Sequence, residues 1–107
     1  MTNQKRRGYR AERTIRLLLE ENGWKVVRAG GSLGEADLVC IRGGGCILLQ
    51  VKSTKKKTLY YYGYMKDKLE GMPFYMVVDF GYGNIRIAQP IAKIKSSEGA
   101  RFHDFIK

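Results

Sequence analysis

Two apolar runs parted by three glycines constrain this chain more than any other feature. Ala36 to Ile41 and Cys46 to Lys52 read as strands, and Arg42-Gly43-Gly44-Gly45 between them is a turn signal. Strands joined this closely pair as an antiparallel hairpin. A two-residue loop at Gly43-Gly44 pairs Arg42 with Gly45, and a four-residue loop from Arg42 to Gly45 pairs Ile41 with Cys46. Both loops give the same register, which only an odd loop length breaks. In that register Asp37 lies opposite Gln50, with Cβ atoms roughly 5 Å apart. Lys52 is two residues beyond Gln50 and shares its face.

Asp37 and Gln50 require explanation, because a polar side chain inside an apolar strand finds a partner or costs stability. Glu12 raises the same question. From about Gln4 to Glu21, Ala11, Ile15, Leu18 and Leu19 fall at helical spacing, and Asn22-Gly23 supplies the stop. Glu12 stands at the edge of that apolar stripe, from which a carboxylate reaches toward a sheet. Glu12, Asp37, Gln50 and Lys52 therefore converge as two acids, one amide oxygen and one ammonium. Such oxygens suit Mg²⁺ or Mn²⁺, and a lysine beside them helps activate water or neutralise a phosphate. The alternative is a structural Asp37–Lys52 ion pair, with Glu12 a solvated helix residue paired with Arg16.

Charge narrows the partner. The 107 residues carry 20 Lys and Arg against 10 acids, a net charge of +10, which favours nucleic acid. Lys5, Arg6, Arg7, Arg10 and Arg13 crowd the start of the helix, where its dipole prefers acids. Phosphate binding at that end explains the inversion. Lys55, Lys56 and Lys57 lie in a basic loop, Ser53 to Thr58, directly after the candidate site.

The remaining elements are a strand from Trp24 to Ala29, a tyrosine-rich stretch from Leu59 to Tyr64, a short helix from Met65 to Glu70, and strands from Phe74 to Phe80 and Ile85 to Ala88. Pro90 to Lys107 reads as loop with at most one short helix. The chain is one domain, residues 1–107, of α/β class: a central mixed five-stranded sheet flanked by helices. No apolar run approaches the roughly 18 residues a membrane span needs, and no secretory signal is read, so the expected location is the cytoplasm. Cys40 and Cys46 read as reduced, buried strand residues, and with the single His103 they do not make a four-ligand zinc site. No organic cofactor is expected.

The ordered set Glu12-Arg13, Arg28, Gly31-Ser32, Asp37 and Gln50-Val51-Lys52-Ser53-Thr54 resembles the archaeal-type Holliday junction resolvases of the PD-(D/E)xK nuclease superfamily. The resemblance covers roughly Arg7 to Tyr62. It departs from the family at Ala36-Asp37, where the family has Pro-Asp, and at Gln50-Val51-Lys52, where the family has Glu-x-Lys. It implies a restriction-endonuclease-like fold and a metal-dependent, structure-selective DNA endonuclease that cuts four-way junctions in pairs as a homodimer. Glu12, Asp37 and Gln50 would hold Mg²⁺ or Mn²⁺ with the Val51 carbonyl. Lys52 would orient or activate water, Ser32 would reach the scissile phosphate, and Arg13 and Arg28 would bind phosphate. The alternatives are another nicking or repair nuclease of the superfamily, a branched-DNA binding module disabled at Gln50, and a basic RNA-binding protein. Tyr60, Tyr61, Tyr62 and Tyr64 would stack on bases or, in the favoured reading, line the dimer interface.

Overall fold

The computed structural model describes the backbone from Asn3 to Lys107 and side chains from Gly8 onward. Helix α1 (Asn3–Glu21) buries Ala11, Ile15 and Leu19 and exposes Arg10, Arg13 and Glu20. It closes on Gly23, at a φ of 84°. The Gly23 N–H donates to the Glu20 carbonyl at 3.1 Å and the Trp24 N–H to the Leu19 carbonyl at 3.0 Å. This paired closure requires the left-handed residue that glycine supplies.

Strands β1 (Lys25–Arg28), β2 (Leu38–Arg42) and β3 (Gly45–Ser53) follow as an antiparallel meander. The hairpin register is the one read from sequence, from Leu38 opposite Leu49 to Arg42 opposite Gly45. Gly43 and Gly44 take φ values of 57° and 80°, the conformation a two-residue hairpin turn demands.

Beyond β3 the chain adds β4 (Thr58–Tyr60), β5 (Lys68–Leu69), β6 (Met72–Asp79), β7 (Ile85–Ala88), β8 (Lys93–Lys95), β9 (Ala100–Arg101) and α2 (Phe102–Phe105). The main sheet runs β1-β2-β3-β6-β7-β9, with β5 paired to β6. The β3–β6 pair is parallel and the others antiparallel. The five strands read from sequence form its body, extended by β5 and β9. Strands β4 and β8 pair separately as a two-stranded ribbon.

The helix read at Met65 to Glu70 does not form. Glu70 and Gly71 take φ values of 52° and 80°, and the chain doubles back as the β5–β6 hairpin. Six residues closed by Gly71 give too few turns to offset the cost of helix nucleation. The C-terminal segment is likewise more ordered than a loop, because β8, β9 and α2 find partners distant in sequence.

The two faces of the sheet differ. Ile15 and Leu19 of α1 pack with Leu38, Cys40, Leu49, Val77 and Ile87, joined by Phe102 and Ile106. On the other face Tyr61 and Ile94 cover Met76, Val78 and Phe80. Both cysteines are free, and burial, with the neighbouring Cys46, pushes the Cys40 thiol up to about 12. Arg42 ties the hairpin to the C-terminus: it stacks 4.4 Å from the Trp24 ring centroid and donates to the Ile106 carbonyl at 2.7 Å. Trp24 also donates to that carbonyl, at 3.0 Å.

Leu49 is fully buried on β3 and its carbonyl receives the Asp37 N–H. Leu49→Ala should cost about 2–5 kcal/mol in urea unfolding. A loss below about 0.5 kcal/mol would place Leu49 outside the cooperative core.

Candidate functional site

The site lies where β2 and β3 part. Asp37 precedes β2 and is held from both sides: its N–H donates to the Leu49 carbonyl at 2.8 Å, and its carbonyl accepts the Ala29 N–H at 2.8 Å. The side chain continues the ladder where the backbone no longer does. Asp37 Oδ2 accepts the Val51 N–H at 2.7 Å and Gln50 Nε2 at 3.2 Å.

Gln50 is buried, at 6 % exposure, and its Oε1 has no hydrogen-bond partner. A buried acceptor left unpaired costs roughly 1–3 kcal/mol. An unpartnered amide oxygen beside a carboxylate is a donor set that suits a hard divalent cation. Among the described residues no three His, Cys, Asp or Glu side chains gather; the oxygens here come from two carboxylates and one amide.

Lys52 shares the face of Gln50, since these residues pair with Val78 and Met76 of β6 and alternate positions share a face. Burial raises the Asp37 carboxyl above 3.8; the Val51 N–H opposes this, the Glu12 charge reinforces it, Lys52 opposes it and Glu35 reinforces it. Glu12 is thus close enough to Asp37 for its charge to act there. Its partner is Arg28, whose Nε donates to Oε1 at 2.6 Å, rather than Arg16. Arg28 of β1 therefore enters the site as a clamp on Glu12.

The basic residues are spread around this centre. Arg10 and Arg13 are exposed on α1, and Lys55, Lys56 and Lys57 are exposed on the loop after β3. An open groove of about 680 Å³ runs from Lys52 past Lys55 and Lys56, with Gly8 of α1 on its wall. Lys5, Arg6 and Arg7 lie in the first turns of α1, and their side chains fall outside the described residues. Ser32 is exposed in the loop between β1 and β2; its N–H donates to the Ala29 carbonyl at 3.0 Å, and none of the site's side-chain hydrogen bonds reaches it. The tyrosines separate: Tyr60 and Tyr62 are exposed while Tyr61 is buried. Sequence reasoning did not single out Glu35, and it read Tyr61 with its neighbours as a stacking or interface residue, which its burial contradicts. Glu35, two residues before Asp37, was open to the same spacing argument; Tyr61 was not, because its burial depends on Ile94, far along the chain.

The architecture is that of a nuclease fold. It matches the 1.6 Å structure of Archaeoglobus fulgidus Hjc, described as a Holliday junction resolvase from an archaeal hyperthermophile, with a TM-score of 0.70 and 21 % identity over 92 % of this chain and 94 % of that one. The profile of the archaeal Holliday junction resolvase (hjc) family matches residues 3–104. The chain belongs to this family, whose members are DNA endonucleases.

The Asp37 environment fixes the sign of a pH effect. Its folded pKa is raised, so its contribution to stability is fully present below the ordinary 3.8 and is lost as pH rises through the folded value. At pH 7 the metal-free protein carries the cost of the ionised carboxylate. Asp37→Asn should therefore melt at the same or a higher temperature than the parent at pH 7, with the difference shrinking toward pH 3.5. A markedly lower melting temperature for Asp37→Asn at pH 7 would contradict this assignment.

Proposed function

We propose that this chain is a metal-dependent Holliday junction resolvase that acts as a single nuclease domain, residues 1–107, in a two-fold homodimer in the cytoplasm. The observation that carries the reading is the unpartnered Gln50 Oε1 beside the Asp37 carboxylate, with Lys52 on the same face. Asp37, Gln50 and Glu12 would hold Mg²⁺ or Mn²⁺, joined by the Val51 carbonyl. When bound, the cation supplies a nucleophilic water at neutral pH and neutralises phosphate charge.

The chain's own groups do the rest. The Val51 N–H fixes Asp37 so that its second oxygen stays free to bind. Lys52 presents its ammonium to the attacking water or the phosphate, stabilising charge that grows in the transition state. Arg28 holds the Glu12 carboxylate and adds positive charge toward phosphate, and Ser32 offers a hydroxyl on the neighbouring loop. Arg10, Arg13, Lys55, Lys56 and Lys57, with Lys5, Arg6 and Arg7, track the DNA backbone. Paired symmetric cuts need two sites, which a two-fold dimer provides. The exposed Tyr60 and Tyr62 are the aromatic surface available for that contact.

A synthetic four-way junction should be cleaved in Mg²⁺ or Mn²⁺ while a linear duplex of the same sequence is spared. Asp37→Asn and Lys52→Ala should each abolish cleavage and leave junction binding within a few-fold. Wild-type cleavage by either variant would remove that residue from the site. Binding with no cleavage at any Mg²⁺ or Mn²⁺ concentration would make the chain a branched-DNA binding module, a role that the Gln50 to Asp37 hydrogen bond would serve as a closed network.

Replacing Lys55, Lys56 and Lys57 together with Ala should reduce the slope of log K against log salt by roughly 0.9 per lost phosphate contact. An unchanged slope would remove the loop from the DNA surface.

A further inference from the structure

Tyr61 is only 3 % exposed and packs with Met76, Val78, Phe80 and Ile94. That is the face of the sheet that carries Gln50 and Lys52. The Lys52 ammonium lies 5.9 Å from the Tyr61 ring centroid, within range of the attraction between a cation and an aromatic face. The hydroxyl is buried with no hydrogen-bond partner. The Tyr64 backbone N–H lies near the oxygen without reaching hydrogen-bond geometry, and a donor there would leave the O–H hydrogen unpaired in any case. Gly63 makes this placement possible, since a Cβ at that position would overlap the Tyr61 hydroxyl and ring.

A tyrosine kept only for packing does not look like this. Phenylalanine would fill the same volume without burying an unsatisfied hydroxyl, which costs stability. We propose that Tyr61 is a positioning residue for strand cleavage: its ring orients the Lys52 ammonium, and its unpaired hydroxyl is a hydrogen-bond donor reserved for the loaded site. The proposal rests on the nuclease reading and extends it to a residue outside the nuclease motif. Burial, then the charge of Glu35, push the phenol above 10.0; the Tyr64 backbone opposes this and the Asp37 charge adds to it, so the proton stays in place at neutral pH. One of the two charges acting on the hydroxyl is that of Asp37, the central acid of the site.

The test compares Tyr61→Phe, Gly63→Ala and the parent on a four-way junction with Mg²⁺. Tyr61→Phe, which keeps the ring and removes the hydroxyl donor, should lower kcat about ten- to hundredfold, at or below the cost of losing one preorganised donor to the transition state. KM, junction affinity and Mn²⁺ affinity should stay unchanged, and the melting temperature should be equal or higher. Gly63→Ala, which displaces the ring without altering the tyrosine, should lower kcat in the same way. Wild-type kcat in Tyr61→Phe would overturn the proposal while leaving the nuclease reading intact. A fall in kcat accompanied by a lower melting temperature would also overturn it, because the hydroxyl would then be structural. If the parent cleaves no junction at all, the nuclease reading fails and the proposal fails with it.

Discussion

The hydrogen bond from the Val51 N–H to Asp37 Oδ2, 2.7 Å long, is the contact on which the site depends. It forms where the β2–β3 ladder gives out and a side chain takes over from the backbone. The Asp37 backbone is held at the same time by the Leu49 carbonyl of β3 and the Ala29 N–H just past β1, so backbone and side chain are both fixed. The arrangement follows from the Gly43-Gly44 turn, which sets the hairpin register. A one-residue slip would send Asp37 to the opposite face and dismantle the site.

That rigidity has an electrostatic cost. Burial and the charges of Glu12 and Glu35 disfavour the Asp37 carboxylate, while the Val51 N–H and Lys52 favour it. Gln50 moderates the conflict. A glutamate there would add a third negative charge and raise the repulsion in the metal-free protein; the amide instead donates to Asp37. In the proposed cation site Gln50 offers a neutral oxygen where a glutamate would offer a charged one, so stability without metal and affinity for metal would trade against each other. Two of the three buried unsatisfied polar atoms among the described residues, Gln50 Oε1 and the Tyr61 hydroxyl, lie on this face of the sheet, the third being Arg16 Nε on α1; such atoms cost stability, so this face is built for something besides stability.

Much of this was legible in the sequence because it is local. The α1 stripe, its Asn22-Gly23 stop, the hairpin register from Leu38 to Arg42 and the shared face of Gln50 and Lys52 follow from periods of 3.6 and 2, whereas Asp37 leaves the ladder and reaches Gln50 through its side chain. What was not legible depends on contacts between distant segments. Glu12 pairs with Arg28 across the helix–strand packing, which no spacing on α1 reveals; the Arg16 pair that stood as the alternative to a metal-site role does not form. Strands β4 and β8 are three residues each and exist only as partners of one another. The Met65 to Glu70 stretch carried weak helical spacing, and turn chemistry at Glu70-Gly71 overrode it. Tyr61 was inseparable from its exposed neighbours until Ile94 was seen to cover it.

The central claim is that the oxygens at the fork form a divalent-cation site weakened, but not abolished, by Gln50. Calorimetric titration of Mn²⁺ into the parent, Gln50→Glu and Asp37→Asn tests it most directly. The account predicts measurable binding to the parent, tighter binding to Gln50→Glu, and none to Asp37→Asn. No binding heat for the parent or for Gln50→Glu would contradict it and leave Asp37 and Gln50 as a closed structural network.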